Sequence, residues 1–309
     1  MRKGIDFTSI YMPLYTWQRD KKIMLKRYRE GSLHITRISS FSLKSSISAI
    51  LSSAERLVNI LMSLIDLHIY EKNHFNVCIA QDPLSTLLGL FLKKRHAVEN
   101  VIFHSHNYVA PERSIIYKSI DLYSTQKADT VWCLSRRLCD IRARLGARNI
   151  IHVPVGIDPE ILRYIDNINK RNEKIIGIYI GKLDHDKGID ILIRVLHNLG
   201  QLLDKILIIG DGPLRDTITA VSKRENVTFL GSRSLKNSMA IAKKMASLGF
   251  VLTKPSWELY TTDPLKPKIY LASHTPIIIP SYFEIARDVE RYRGGVIVTL
   301  NDPGSVIKA

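Results

Sequence analysis

Two lysines, Lys182 and Lys187, are separated by four residues in a polar turn that Gly181 opens and Gly188 closes. Paired ammonium groups at such a turn suit a diphosphate. On spacing alone they are equally well read as solvated turn lysines. The elements around them sharpen the choice. Residues 175–180 are a continuous apolar run, the pattern of a strand buried on both faces of a parallel sheet. Beyond the turn, Ile189, Leu192, Ile193, Leu196 and Leu199 fall at helical spacing. A second apolar run, residues 206–209, ends at Gly210-Asp211-Gly212-Pro213. The pattern predicts a βαβ unit with glycines at the carboxyl ends of both strands. Ligands of open α/β sheets bind there, where helix N-termini aim free N–H groups into the crevice.

Gly181-Lys182-Leu183 followed by Lys187-Gly188, then Gly210-Asp211-Gly212-Pro213 and Phe229-Leu230-Gly231, resembles the group 1 (family 4-like) glycosyltransferases of the GT-B fold. The resemblance covers the C-terminal half well and the N-terminal half loosely. It implies that Gly181, Lys182 and Lys187 bind the diphosphate of a sugar nucleotide. The segment from Lys254 to Ser273 is similar to the family's second donor motif, with two departures. Many members carry two glutamates here, the later one on the ribose hydroxyls. Aligning Tyr270-Leu271-Ala272 with the helix that follows puts Thr261 and Ile269 at those positions. Glu258 is the candidate replacement from a shifted loop. Pro264-Leu265-Lys266 matches a Pro-Leu-Lys variant of the family, which implies a helix start aiming its N–H groups and Lys266 at the diphosphate. Pro264 or Pro267 fits the first turn of that helix, where no N–H is needed. Leu265, Gly210, Gly212 and Glu258 are then the nucleotide-side residues.

Asp184-His185-Asp186 invites a metal reading, which we reject. Aspartates in a helix-initiating turn cap free N–H groups, and lysines with a helix dipole replace a metal on the diphosphate. No metal and no cofactor beyond the nucleotide-sugar substrate are expected.

The N-terminal half offers His104 and His106 at the carboxyl end of a predicted strand over residues 101–104. They are either loop histidines or the best catalytic candidates of this half, as a base in an inverting enzyme or as contacts to donor sugar or acceptor. The resemblance itself implies retention. No glycine-rich loop follows the first predicted strand, residues 5–11, where relatives often have one; Tyr15 and Trp17 stand there instead. Residues 18–30, rich in Lys and Arg, are predicted helical, and residues 33–38 a strand. Residues 47–70 are hydrophobic but hold Glu55, Arg56, Asn59 and Asp66. They make a poor membrane span and a long amphipathic helix, for packing in a core or, as the second reading, for docking on a membrane surface. Residues 128–134 and 150–154 are further strands, with Arg136, Arg137, Arg142 and Arg144 on an intervening helix. Val153-Pro154-Val155-Gly156-Ile157-Asp158 resembles the family's interdomain signature, and residues 163–174 read as a linker. Short apolar runs at 227–230, 249–252, 276–279 and 296–299 alternate with helical stretches near 235–247 and 265–273, the pattern of a second doubly wound sheet. Residues 301–309 read as the first turn of a helix cut short, where GT-B chains usually continue with helices crossing back.

The chain has 309 residues and a formal charge of +16. Residues 1–155 carry 23 Lys/Arg against 12 Asp/Glu, net +11; residues 156–309 carry 22 against 17, net +5. The excess points to an anionic partner on the N-terminal side or to a solvated basic surface. Cys78, Cys133 and Cys139 show no metal spacing and suit reduced thiols in a cytosolic protein.

The expected architecture is α/β: two Rossmann-like domains, residues 1–155 on the acceptor side and 156–309 on the nucleotide-sugar side, facing a cleft. The expected activity is transfer of a sugar from a nucleotide sugar to a hydroxyl of a lipid-linked, glycan or other acceptor. The acceptor would be anionic or membrane-presented, and the protein cytoplasmic, at most peripheral at an anionic membrane surface. The alternatives are a nucleic-acid-binding or nucleic-acid-modifying protein on the same fold and a non-catalytic nucleotide- or glycan-binding relative.

Overall fold

The computed structural model describes residues 7–11, 23–29, 32–38, 74–108, 115–169, 173–223, 226–300 and 304–309. The predicted helix at 47–70, Tyr15 and Trp17 lie outside them. By contact the chain divides into two compact units. One takes Met1–Ser105, Val109–Trp132 and Ile141–Ile151; the other takes His106–Tyr108, Cys133–Asp140 and His152–Ala309.

The first unit opens with an antiparallel sheet, β1 (Phe7–Tyr11), β2 (Ile23–Arg29) and β3 (Ser32–Ile38), with β2 in the middle. This corrects the helix expected over 18–30. Leu, Lys, Arg and Met favour helices, but β2 is hydrogen-bonded along both edges, and pairing overrides a weak local preference. A separate four-stranded sheet has the order β4 (Phe75–Ala80), β5 (Val98–Ser105), β6 (Thr130–Cys133), β7 (Ile150–His152), with β4 and β5 parallel. Helix α1 (Pro83–Lys94) joins β4 to β5. Its start is fixed by Asp82, whose carboxylate accepts from the N–H groups of Leu84 and Ser85, and by Pro83 at the first turn. Helices α2 (Ile115–Lys127) and α3 (Arg136–Arg144) follow.

Helix α4 (Pro159–Asp166), N-capped by Asp158, occupies the first part of the expected linker, because Ile165 is fully buried and anchors it. The C-terminal sheet has six strands in the order β10-β9-β8-β11-β12-β13: Val227–Gly231, Lys205–Ile209, Ile176–Ile180, Leu248–Phe250, Ile277–Pro280 and Gly295–Val298. Each described ladder in it is parallel. Strands numbered 3-2-1-4-5-6 across a sheet define the dinucleotide-binding topology, with its ligand crevice where the order reverses, beyond β8 and β11.

The period of two explains why β8 is apolar throughout. Ile176, Ile178 and Ile180 enter one core with α7 (Leu235–Met245) and α9 (Leu265–Ala272); Tyr179 enters the other with α5 (Ile189–Leu202). Each Leu or Ile buried this way contributes about 1.5–3 kcal/mol. The remaining helices are α6 (Arg215–Val221), α8 (Trp257–Thr261), α10 (Ala286–Arg291) and α11 (Gly304–Lys308).

Candidate functional site

The turn after β8 is built by backbone contacts that only particular residues permit. Gly188 sits at φ 72°, ending the single 3₁₀ turn His185–Lys187 and starting α5. A Cβ there would lie 1.8 Å from the Leu252 carbonyl oxygen, so glycine is required twice over. At Gly210 a Cβ would lie 1.8 Å from the Gly181 carbonyl oxygen. The strand-end loops after β8 and β9 are thus pressed backbone to backbone. The Gly181 N–H donates to Ile209 (3.0 Å), Leu183 donates to Asp211 (2.9 Å) and Leu214 donates to Leu183 (3.0 Å). The Tyr179 hydroxyl donates across the turn, 3.0 Å from the Lys182 carbonyl and 3.1 Å from that of Lys187.

The two turn lysines behave differently. Lys182 is exposed, and its ammonium pairs with Asp184 at 2.7 Å, which holds the Asp184 carboxyl below its usual range. Asp184 therefore makes no side-chain cap on the 3₁₀ turn, a correction to the capping expected of it; the ammonium is the stronger attraction. Lys187 is half-buried and lies towards α9.

Lys266 comes to the same place from α9. Its Nζ is buried with no hydrogen-bond partner among the described residues. The ammonium lies 4.3 Å from the centroid of the Tyr179 ring, and a Cβ at Gly181 would sit 2.7 Å from it. Burial, and then the charge of Lys187, push its pKa down to about 7. The helix under it is open at its start. Pro264 stands at the N-cap and offers no side-chain bond, Pro267 needs no N–H in the first turn, and the N–H groups of Leu265 and Lys266 have no intrahelical partner. Gly181, Lys187, Lys266 and this helix start converge, while Lys182 faces away toward Asp184. Tyr179 escaped sequence reading because it is one apolar-looking residue in an apolar strand.

Of the nucleotide-side candidates, Gly210 and Gly212 lie in the loop packed on the turn, Leu265 packs against the core at the start of α9, and Glu258 is exposed in the first turn of α8. Thr261 and Ile269, at the positions of the absent glutamates, are both buried. The Thr261 hydroxyl donates to backbone carbonyls of its own helix and accepts from the Tyr108 N–H at 3.2 Å; its carbonyl accepts from Ser135 at 2.9 Å. Both positions therefore serve packing. The loop also holds an apolar slot of about 400 Å³ lined by Pro255, Ser256, Trp257, Tyr260 and Tyr282, with Trp257 and Tyr260 stacked at 6.2 Å.

His104 and His106 go to different places. His104, in β5, packs edge-on against Trp132 at 5.8 Å within the first unit. His106 is exposed and belongs to the second unit. Arg142, expected on the helix after β6, is there and fully buried. Its guanidinium donates to Asp121 at 2.6 Å, to Thr125 at 2.8 Å and to Ser105 at 2.9 and 3.0 Å, and it stacks over Phe103.

Residues 174–309 match the family model described as glycosyl transferases group 1. No curated protein matches the chain. Among solved structures the chain is similar to sucrose-phosphate synthase from Thermosynechococcus elongatus, at 17% identity and TM-score 0.60, over 87% of this chain and 70% of that one. It is similar to HepE of Anabaena in complex with UDP, at 14% identity and TM-score 0.58, over 83% and 72%. The lipopolysaccharide outer core galactosyltransferase WaaB gives 17% and 0.57, over 85% and 71%. At these identities the likeness is one of fold. With the family match, residues 174–309 are similar to the group 1 glycosyltransferases, and the fold is the GT-B fold of those structures.

Proposed function

We propose that the chain transfers a sugar from a nucleotide-sugar donor to an acceptor hydroxyl, with the donor diphosphate held by Lys187, Lys266 and the first N–H groups of α9. The observation that carries this is the Lys266 amine, withdrawn from water, without a hydrogen-bond partner among the described residues and set against Gly181 beside Lys187. A buried amine at an uncapped helix start is arranged for an anion. As the glycosidic bond breaks, charge grows on the leaving diphosphate, and preorganised cations and N–H dipoles stabilise it most at that moment. The likeness to HepE with UDP supports the reading. Lys182 would join by leaving Asp184, and Glu258, the exposed carboxylate of α8, is our candidate for the ribose. We infer retention at the anomeric carbon from the family alone, with His104 and His106 as contacts to sugar or acceptor.

The acceptor we propose is anionic or presented at an anionic membrane surface, on the strength of the +11 carried by residues 1–155. Lys93 in that half is paired with Asp129, so the excess is carried by other cations. No helix among the described residues is long and apolar enough to cross a membrane. A nucleoside diphosphate at about a hundred times its Kd should stabilise the protein by roughly 2.7 kcal/mol without added metal. The test is thermal stabilisation by UDP, ADP and GDP with and without magnesium, beside hydrolysis of their sugar conjugates. Stabilisation that needs the metal, or none at all, sinks the reading of this turn. A second reading, a relative that binds the nucleotide without turnover, is favoured by the buried Thr261 and Ile269. Tight binding with no hydrolysis or transfer would select it.

A further inference from the structure

We propose that the diphosphate binds together with a proton: Lys266 is a neutral amine in the empty site and takes up one proton from solvent as the anion arrives. The inference rests on the donor-site reading above and extends it to how the site senses charge. Three observations carry it. The Nζ of Lys266 is buried and has no hydrogen-bond partner among the described residues. The charged group that bears on it is another cation, Lys187. The nearby carboxylates are engaged elsewhere: Asp184 with Lys182 at 2.7 Å, and Asp190, at the start of α5, with Lys254 at 2.8 Å and His185 at 3.6 Å. Tyr179 presents its ring face to Lys266 and spends its hydroxyl on the turn carbonyls, and burial raises its own pKa, so it stays neutral. An ammonium so placed loses hydration and gains no counter-charge, which favours the free amine. A diphosphate supplies the missing counter-charge. The lone pair of Nζ then accepts a proton from water or buffer, and nothing else changes covalently. A neutral ligand, or the nucleoside alone, recruits no proton and forfeits the attraction. The lysine thereby admits anions selectively while the empty site carries one charge fewer.

The sign follows from linkage. Below pH about 7 Lys266 is charged with or without ligand, and binding takes up no proton at this residue. Above that, up to the raised value in the complex, binding consumes one proton, and affinity falls up to about tenfold per pH unit. The experiment is calorimetric titration of UDP at about pH 8.5, where its phosphates are fully ionised, in two buffers of different ionisation enthalpy, with inorganic pyrophosphate run beside it and the proton of its own last ionisation counted separately. Wild type should take up close to one proton per ligand. Lys266→Met should bind more weakly, with no uptake and a flat pH dependence; Lys266→Arg, charged throughout, should bind with no uptake. Binding without uptake in wild type overturns the proposal and leaves the donor-site reading standing. Uptake undiminished in both variants also overturns it, since the proton then goes elsewhere. Failure of UDP, ADP, GDP and pyrophosphate to bind at all overturns both.

Discussion

Arg142 and Lys266 are both basic side chains withdrawn from water, and the protein treats them in opposite ways. Arg142 is met by Asp121, Thr125, Ser105 and the face of Phe103. Lys266 meets one ring face and a like charge. Burial alone is common to both and so says nothing about role; the partner list does. A cation whose donors are met inside the protein holds elements together, tying β5, α2 and α3. A basic group left without them is placed to meet an anion from solution. Breaking the closed network should give the largest effect. Arg142→Met strands Asp121 as an unpaired buried carboxylate, and we expect a loss of about 3–5 kcal/mol in chemical denaturation. Adding Asp121→Leu should recover much of that, since apolar replacement of a whole buried pair is often neutral. A double variant no more stable than Arg142→Met would mean that packing, not charge, holds the site.

The open site should respond in function rather than in fold. Lys187→Ala should lower turnover about 10²–10³-fold, the scale of one lost donor to a developing anion, with the melting temperature nearly unchanged. Wild-type turnover would remove Lys187 from the donor site. Lys266→Met should do what no substitution at Arg142 can: stabilise. The folded-state pKa of about 7 lies below the unfolded value of 10.5, so the unfolded chain binds more protons between them. This lysine's contribution therefore improves as pH rises from 7 and is at its worst below 7, where a charge must be buried. Lys266→Met should raise the melting temperature more at pH 6 than at pH 9, on the scale of about 1–4 kcal/mol at the acidic end. A variant that melts lower at both pH values would mean that Lys266 is already satisfied, and the contrast with Arg142 would collapse.

That contrast was half legible in the sequence. The βαβ unit was, because strands buried on both faces and a helix with one buried stripe write two different periods. Lys187 and Lys266 were named from a resemblance to a family motif; periodicity could not bring residues 79 positions apart together. Three things stayed hidden. Arg142 looks like any exposed arginine, because its partners come from α2 and β5, and only the fold assembles them. Tyr179 and Tyr270 sit in apolar patterns, yet their hydroxyls clasp the turn carbonyls and accept from the Ile180 N–H at 2.6 Å. The strand at Ile23–Arg29 was masked by residues with helical preference, and only its pairing on both edges reveals it.

The finest test lies inside the turn, between lysines the sequence treated as equals. Lys182 is exposed and paired with the half-buried Asp184 at 2.7 Å, a pair that water on the lysine side screens. To touch a diphosphate it must give up one anion for another, so its net gain is small. Lys187 is in no ion pair among the described residues and has no such exchange to make. Lys182→Ala should leave stability unchanged and weaken nucleotide binding less than Lys187→Ala does, by an amount that shrinks as salt rises. Asp184→Asn, which releases Lys182 while keeping the shape of the turn, should tighten binding slightly. The carboxyl of Asp184 is held below its usual range, so the pair persists at neutral pH and is lost only as acid carries the solution below that lowered value. The Asp184→Asn gain should accordingly be present at neutral pH and vanish in acid. Equal losses from Lys182→Ala and Lys187→Ala would show that the pair with Asp184 is only a resting arrangement, and that spacing along the chain predicts this site better than the partners each lysine already has.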